Sequence, residues 1–279
     1  MAFTQQETSK TAQAGKLKMH YNEAGQGEPL ICIHGGGPGA SGWSNYSRNI
    51  DELAKHFRTI LIDLPGFGKT DKPKIEGGFM AFMATAVRDL MDTLGIQRAN
   101  FIGNSLGGGT TLKFAMDFPD RANRLVLMGA GGGIPMFTPM PTEGIKHLMN
   151  FYEPPGPSIE KLKAFINVMV YDSSKLTDEL LKERYAAATQ PDVIANTPLR
   201  RSTMAQIEPL WKDLGKVRNK TLIIWGRDDR TVPLDSGLIM LSQMPDVQFH
   251  VFSKCGHWAQ WEKAYEFNRL VITYLTGTE

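Results

Sequence analysis

The chain has 279 residues, enough for one large or two small domains, with 42% apolar and 22% charged residues, the balance of a soluble globular protein. Its net charge is +2 and no lysine/arginine run resembles a nucleic-acid arm, so no polyanionic partner is expected. The six histidines are scattered without metal-ligand spacing, and no apolar run approaches the ~18 residues of a membrane span, so neither a metal centre nor a membrane partner is expected. Two cysteines, Cys32 and Cys255, make no disulfide framework and suit a reducing compartment. The N-terminal stretch lacks a hydrophobic signal core, so the expected location is cytoplasmic. Residues 1–16 are expected to be flexible.

In chain order, Leu17–Tyr21 alternates as an edge or hairpin strand. Leu30-Ile31-Cys32-Ile33 is a continuous apolar run, the sign of a strand buried on both faces. It ends in the glycine-rich loop His34-Gly35-Gly36-Gly37-Pro38-Gly39. Thr59–Asp63 is the next buried strand. From Ala81 to Leu94 apolar residues fall on one helical face, closed by Gly95. Ala99–Ile102 is a short β-prone segment, and Leu112, Ala115 and Met116 beyond it recur at helical spacing. Leu125–Met128 is another strand. The rhythm then breaks: from about Gly131 to Trp211 prolines, glycines and two helical stretches, Leu162–Val170 and Leu180–Ala188, replace buried strands. Thr177 is an N-cap candidate for the second. Strands resume at Leu222–Trp225 and Phe249–Phe252, and a last helix carries Phe267, Val271 and Leu275. Alternating strands and helices mean an α/β protein with a mainly parallel sheet covered on both faces. The expected organisation is a core of 17–132 and 212–279 with a helical lid, 133–211, inserted between.

Between the fourth apolar strand and its helix stands Gly103-Asn104-Ser105-Leu106-Gly107, which fits the nucleophile elbow G-x-S-x-G. A serine hydroxyl needs an adjacent base, and a histidine needs a carboxylate to fix its tautomer. Ser105, the pair Asp228-Asp229 and His257 stand in the order Ser…Asp…His used by α/β-hydrolases, each just after an expected strand. The pattern G-x-x-D read from Gly226 selects Asp229 as the acid, with Asp228 as the fallback. The oxyanion requires two backbone donors. One is Leu106, after the nucleophile, and the other is Gly36, with Gly35 or Gly37 as alternatives.

From about Leu17 to Leu275 the chain resembles the meta-cleavage product hydrolases, α/β-hydrolases that break a carbon–carbon bond in ring-fission products of aromatic compounds. The motifs that carry the resemblance are His34–Gly39, Gly42-Trp-Ser-Asn-Tyr46, Gly103–Gly108, Phe137–Gly144, Trp225-Gly-Arg-Asp-Asp-Arg230 and Cys255-Gly-His-Trp-Ala-Gln260. Leu106 departs from the Met found in many members, a mild change for a residue that offers its backbone amide. The resemblance implies the α/β-hydrolase fold, no cofactor, a 2-hydroxy-6-oxo-hexa-2,4-dienoate as the small-molecule substrate, and weak grounds for a homo-oligomer. It implies that Arg184 pairs with the dienoate carboxylate, with Gly35, Asn45, Asn104 and Trp258 lining the same end. The C6 substituent is left open, its pocket expected around Ile134–Met140, Phe165–Val170 and Trp211. A carboxylesterase or haloperoxidase-like hydrolase would share Ser105, Asp229 and His257 without needing Arg184, and a non-catalytic binding protein on this fold is a third reading.

Overall fold

A computed structural model describes residues 2–200 and 205–277. Eight strands form one sheet in the order β1-β2-β4-β3-β5-β6-β7-β8. They are β1 (Ser9–Ala14), β2 (Leu17–Ala24), β3 (Pro29–Ile33), β4 (Arg58–Ile62), β5 (Ala99–Asn104), β6 (Ala122–Met128), β7 (Thr221–Gly226) and β8 (Val247–Phe252). β1 and β2 pair antiparallel, as do β2 and β4, and all later pairings are parallel.

Strand side chains alternate between two cores, as a pleat dictates. Ile31, Ile33, Phe101, Leu125, Leu127, Ile223 and Trp225 join one buried cluster. Leu30, Cys32, Ile102, Val126, Met128, Leu222 and Ile224 join the other. The first cluster is covered by α1 (Phe79–Thr93) and α2 (Leu106–Asp117), whose apolar stripes lie on it. Between β6 and β7 come α3 (Glu143–Asn150), α4 (Ile159–Met169) and α5 (Asp178–Ala188), and no strand among the described residues. Thr177 caps α5 by accepting from Leu180 N–H. After β7, α6 (Leu234–Gln243) packs Gly237 against Trp225 and Phe249. The last helix, α7 (Ala264–Thr276), buries Phe267, Val271 and Leu275 in the second cluster. Among the described residues no helix is long and apolar enough to cross a membrane.

The N-terminal segment departs from expectation. Thr4 caps a helical turn over Gln5–Thr8, and Ser9–Ala14 is the edge strand β1. The strand reads SKTAQA, too polar to announce itself, because an edge strand is held by backbone pairing more than by burial. Asn22 pins the segment by donating to Gln5 O (2.9 Å) and to Thr8 Oγ1 (2.9 Å). His20, buried in β2, bonds Asp63 Oδ2 through Nδ1 (2.8 Å) and meets Ser9 Oγ at Nε2 (2.8 Å). Asp63 also accepts from Gly42 N–H (2.8 Å) and Lys69 N–H (2.9 Å). It therefore clamps the loop after β4 to the segment that succeeds the glycine-rich loop.

Burial pushes the Asp63 carboxyl up, but the His20 hydrogen bond, the His20 and His34 rings and the Lys69 amide outweigh it, leaving Asp63 below its ordinary value. A depressed folded pKa stabilises above the unfolded value, roughly pH 4, and this stability is lost as pH falls through the folded value. Asp63→Asn is expected to lower unfolding free energy at pH 7 by about 2–4 kcal/mol. Urea unfolding at pH 7 and at pH 3 checks this: the deficit of the variant should shrink at the lower pH.

Candidate active site

Ser105 sits at φ 52°, ψ −113°, between β5 and α2. This conformation is costly for a residue with a side chain and persists only when its surroundings over-determine it. They do so here. Ser105 N–H donates to Met128 O (2.8 Å), and Ser105 O accepts from Gly109 (3.1 Å) and Gly131 (2.9 Å). A Cβ at Gly103 would collide with Gly107 O, and one at Gly107 with Ile33 O. Glycine is therefore required on both sides because β3, β5 and α2 approach at backbone distance.

His257 lies beyond β8 and is 1% exposed. Its Nδ1 bonds Asp229 Oδ2 at 2.6 Å. The other carboxylate oxygen accepts from Thr231 N–H (2.7 Å) and Val232 N–H (2.9 Å), so Asp229 is held rigidly. With Nδ1 donating to the carboxylate, Nε2 is left as the acceptor, and it has no hydrogen-bond partner among the described residues. Asp228 turns away: its carboxylate accepts from Cys255 N–H (3.3 Å) and lies 3.7 Å from Arg227. The ring of His257 packs on Gly129, directly after the Met128 that accepts from Ser105 N–H. Asn104 reinforces the junction by donating to Met128 O (3.2 Å) and His257 O (3.4 Å). Ser105, Asp229 and His257 thus converge at the carboxyl ends of β5, β7 and β8, where parallel sheets carry their sites.

The glycine-rich loop is aimed by His34. Leu64 N–H donates to His34 Nε2 (3.0 Å), so the ring proton sits on Nδ1, which donates to Gly35 O (2.8 Å). Burial pushes His34 below its ordinary pKa, which favours this neutral form. In a trans peptide the N–H lies opposite the C=O. With Gly35 O turned to His34, the Gly36 N–H points the other way. A Cβ on Gly36 would touch Leu106 side-chain atoms at 3.1 and 3.4 Å, so these two residues are neighbours.

A small polar pocket of about 10 Å³ joins Ser105 to Gly35, Asn45, Arg184 and Trp258. Arg184, on α5, is 4% exposed. Its Nε donates to Pro38 O (3.2 Å), one terminal nitrogen meets Ser44 Oγ (3.4 Å), and the guanidinium lies 5.0 Å from the Trp258 ring. It has no carboxylate partner among the described residues. Burial lowers its pKa to about 10, so it is still a cation at neutral pH. Asn45 lines this pocket, with Oδ1 accepting from Gly35 N–H (3.3 Å). Asn104 lines neither this pocket nor the larger cavity beside it.

That larger cavity, about 560 Å³, shares Ser105 and Gly36 with the polar pocket. Ile134, Met136, Met140, Phe165 and Met169 line it as expected, but Trp211 does not. Trp211 packs half-buried against the core, and Ile207 from the same stretch reaches the cavity instead. Sequence reading misses Met80, Leu148, Met149 and Val232 in the wall. It also misses Glu262, which accepts from Gly256 (2.6 Å), Tyr171 (2.8 Å) and Asp172 (3.3 Å) and so ties the chain beyond α4 to the His257 loop.

The unequal placement of the two aspartates has a direct test. Asp229→Asn should present an amide to His257 and slow organophosphonate labelling of Ser105 by about 10³-fold or more. Asp228→Asn should leave the rate within a few-fold, as intact-protein mass spectrometry over time would record.

Residues 28–154 and 172–264 match the alpha/beta hydrolase fold family. The chain is 49% identical to the 2-hydroxy-6-oxo-6-phenylhexa-2,4-dienoate hydrolase of Burkholderia cepacia, over 94% of this chain and 92% of the relative. It is 46% identical to the 2-hydroxy-6-oxononadienedioate/2-hydroxy-6-oxononatrienedioate hydrolase of Comamonas testosteroni, over 94% and 92%. Its fold superposes with a TM-score of 0.87 on a meta-cleavage product hydrolase from Pseudomonas fluorescens IP01, at 35% identity, covering 98% of this chain and 100% of the other. With relatives this similar over nearly their full length, the chain belongs to the α/β-hydrolase fold family and, within it, to the meta-cleavage product hydrolases.

Proposed function

We propose that this protein hydrolyses the C5–C6 bond of a 2-hydroxy-6-oxo-hexa-2,4-dienoate to 2-hydroxypenta-2,4-dienoate and a carboxylic acid. One observation carries the reading furthest: a buried guanidinium, without a carboxylate partner among the described residues, shares a small pocket with an elbow serine. An unpaired buried charge is expensive, so the site is built to be completed by an anion. The dienoate carboxylate supplies one, and arginine suits it through paired N–H donors. A simple esterase has no use for such a cation.

The geometry suggests the roles. The dienol form cannot release C5 as a carbanion, because C5 is part of the conjugated diene. His257, through its free Nε2, carries the proton from the 2-hydroxyl to C5 and produces the keto form. The C5–C6 electron pair can then leave into a vinylogous acceptor, regenerating the dienol product. Ser105 attacks the C6 carbonyl with His257 as base. Asp229 holds the ring and stabilises its cationic form. The developing oxyanion takes hydrogen bonds from Gly36 and Leu106 N–H, each worth roughly 3 kcal/mol in the transition state. C5–C6 cleavage leaves an acyl group on Ser105 Oγ, and water, activated by His257, releases the acid and restores the serine. Gly35, Asn45, Arg184 and Trp258 hold the dienoate end. Asn104 donates through Nδ2 to Met128 O and His257 O, its Oδ1 has no partner among the described residues, and it too is assigned to the dienoate end. No metal or organic cofactor takes part.

We further propose that residues 133–211 act as a lid and that the protein works in the cytoplasm. The free, buried thiols Cys32 and Cys255 favour that compartment.

The test mixes purified protein with ring-fission dienoates and tracks loss of their visible dienolate band, with product identification. Rapid cleavage is expected, and Ser105→Ala should hold or slowly ketonise the substrate without cleaving it. Arg184→Gln should raise KM for the dienoate by about 100-fold while leaving p-nitrophenyl ester turnover within a few-fold. Equal loss of both activities would refute the carboxylate role of Arg184, and ester turnover without dienoate cleavage would refute the reaction itself.

A further inference from the structure

In the proposed function Arg184 takes the dienoate end of the substrate, and the character of the opposite end, at C6, rests on that reading. Identity alone does not choose between relatives acting on an aryl substituent and those acting on a second carboxylate. The 560 Å³ cavity does. Among the described residues its wall contains no Lys, Arg, His, Asp or Glu. Apart from Ser105, its hydroxyls are those of Thr231 and Ser236, and both are engaged. Thr231 Oγ1 lies 3.3 Å from Met169 Sδ, and Ser236 Oγ donates to Pro135 O at 3.4 Å.

The charges just behind the wall have the wrong sign for a carboxylate. Asp235 accepts from Phe137 and Thr138 N–H, on the loop that supplies Met136 and Met140. Glu208 accepts from Met80 (2.8 Å) and Ala81 (2.9 Å) N–H behind Met80. The nearby cation Arg230 is half-exposed and pairs with Glu143 at 3.3 Å, and Lys146 is exposed on α3. Among the described residues the site thus offers one buried cation, Arg184, to a substrate that can carry one or two carboxylates. A second carboxylate entering the apolar cavity would lose its water without gaining a partner. The size points the same way. A single benzene ring is housed in a cavity of roughly 150 Å³, well below the 560 Å³ present. Five methionines in the wall (Met80, Met136, Met140, Met149 and Met169) make it adaptable to large, irregular apolar groups.

We propose that this enzyme selects dienoates whose C6 substituent is uncharged, apolar and bulky, two fused rings included, and rejects those bearing a second carboxylate. The experiment compares kcat/KM for dienoates with methyl, phenyl, 2-naphthyl and carboxyethyl groups at C6. Phenyl and naphthyl substrates should agree within about 10-fold, and both should exceed methyl by about 10-fold and carboxyethyl by at least about 100-fold. Carboxyethyl turnover equal to phenyl, or failure of the naphthyl substrate alone, overturns the selectivity while leaving C–C hydrolysis standing. If none of the four is cleaved while a p-nitrophenyl ester is, the reaction itself is wrong and this inference falls with it. Met149→Lys supplies the missing cation and should raise the carboxyethyl-to-phenyl ratio by about 10-fold or more. Met136→Lys, on a loop, repeats the test should the helix variant misfold. An unchanged ratio in a folded variant overturns the electrostatic argument.

Discussion

The site depends on how closely three backbones meet beneath Ser105. Gly107 of α2 lies on Ile33 at the end of β3, and Gly103 of β5 lies on Gly107. That contact forces the serine into its strained turn and lifts its side chain out of the sheet. It also leaves the Leu106 amide at a helix start, where N–H groups lack intrahelical partners. The same approach brings the glycine-rich loop after β3 over the elbow. Gly35 packs on Asn104 and Ser105, Gly36 on Leu106, and Gly37 on Phe165 and Arg184. Ser105, the Gly36 and Leu106 amides and Arg184, to which the proposed function assigns its main roles, are therefore brought together by one crowded junction.

The insertion between β6 and β7 takes part in that junction. Met169, at the end of α4, accepts from His257 N–H at 2.8 Å, and its side chain lines both cavities. Gly39 packs on the backbone of Arg184, so α5 rests on the glycine-rich loop. Glu262 gathers three amides from the two sides of this contact, and burial raises its pKa. Motion of α4 and α5 would thus alter the binding of His257 and the approach of Arg184 together. The insertion and the His257 loop are thus tied by a handful of hydrogen bonds to backbone amides.

Residues differ in how far sequence alone reveals them, and the reasons are physical. Strands β3 to β7 are legible because burial on both faces demands continuous apolar runs. The elbow and the order Ser105, Asp229, His257 are legible because they are local patterns. β1 is silent because an edge strand can be polar. Arg184 is silent by composition as well: α5 reads DELLKERYAAA, with charge around most of its surface. Its burial comes from the loop at Gly37 and Gly39, which no helical pattern records, and only resemblance singles it out. Trp211 is misplaced by sequence reading because a 3-10 segment gives no reliable face, and Ile207 reaches the cavity in its stead. Asn104 groups with the substrate by its position in the elbow; its Nδ2 donates to two backbone carbonyls, and its Oδ1 has no partner among the described residues. Hydrogen-bond partners remote in sequence are invisible until the chain is folded.

The molecule holds a second serine–histidine–aspartate set, and the contrast separates function from stability. Ser9, His20 and Asp63 are linked by two bonds of 2.8 Å, as tidy as the pair at His257. Yet both ring nitrogens of His20 are engaged, whereas His257 Nε2 has no partner among the described residues. Ser9 lies in an ordinary edge strand, whereas Ser105 is held at positive φ where α2 begins. Asp63 uses both oxygens to tie a loop down, and neither Ser9 nor His20 lines a described cavity. The first set has every donor and acceptor matched, so it can only stabilise. Among the described residues the second has a ring nitrogen without a partner at His257, a strained Ser105, and an Arg184 without a carboxylate partner that shares a pocket with Ser105. The proposed function places chemistry in the set whose bonding is incomplete, because a substrate can supply the missing partner.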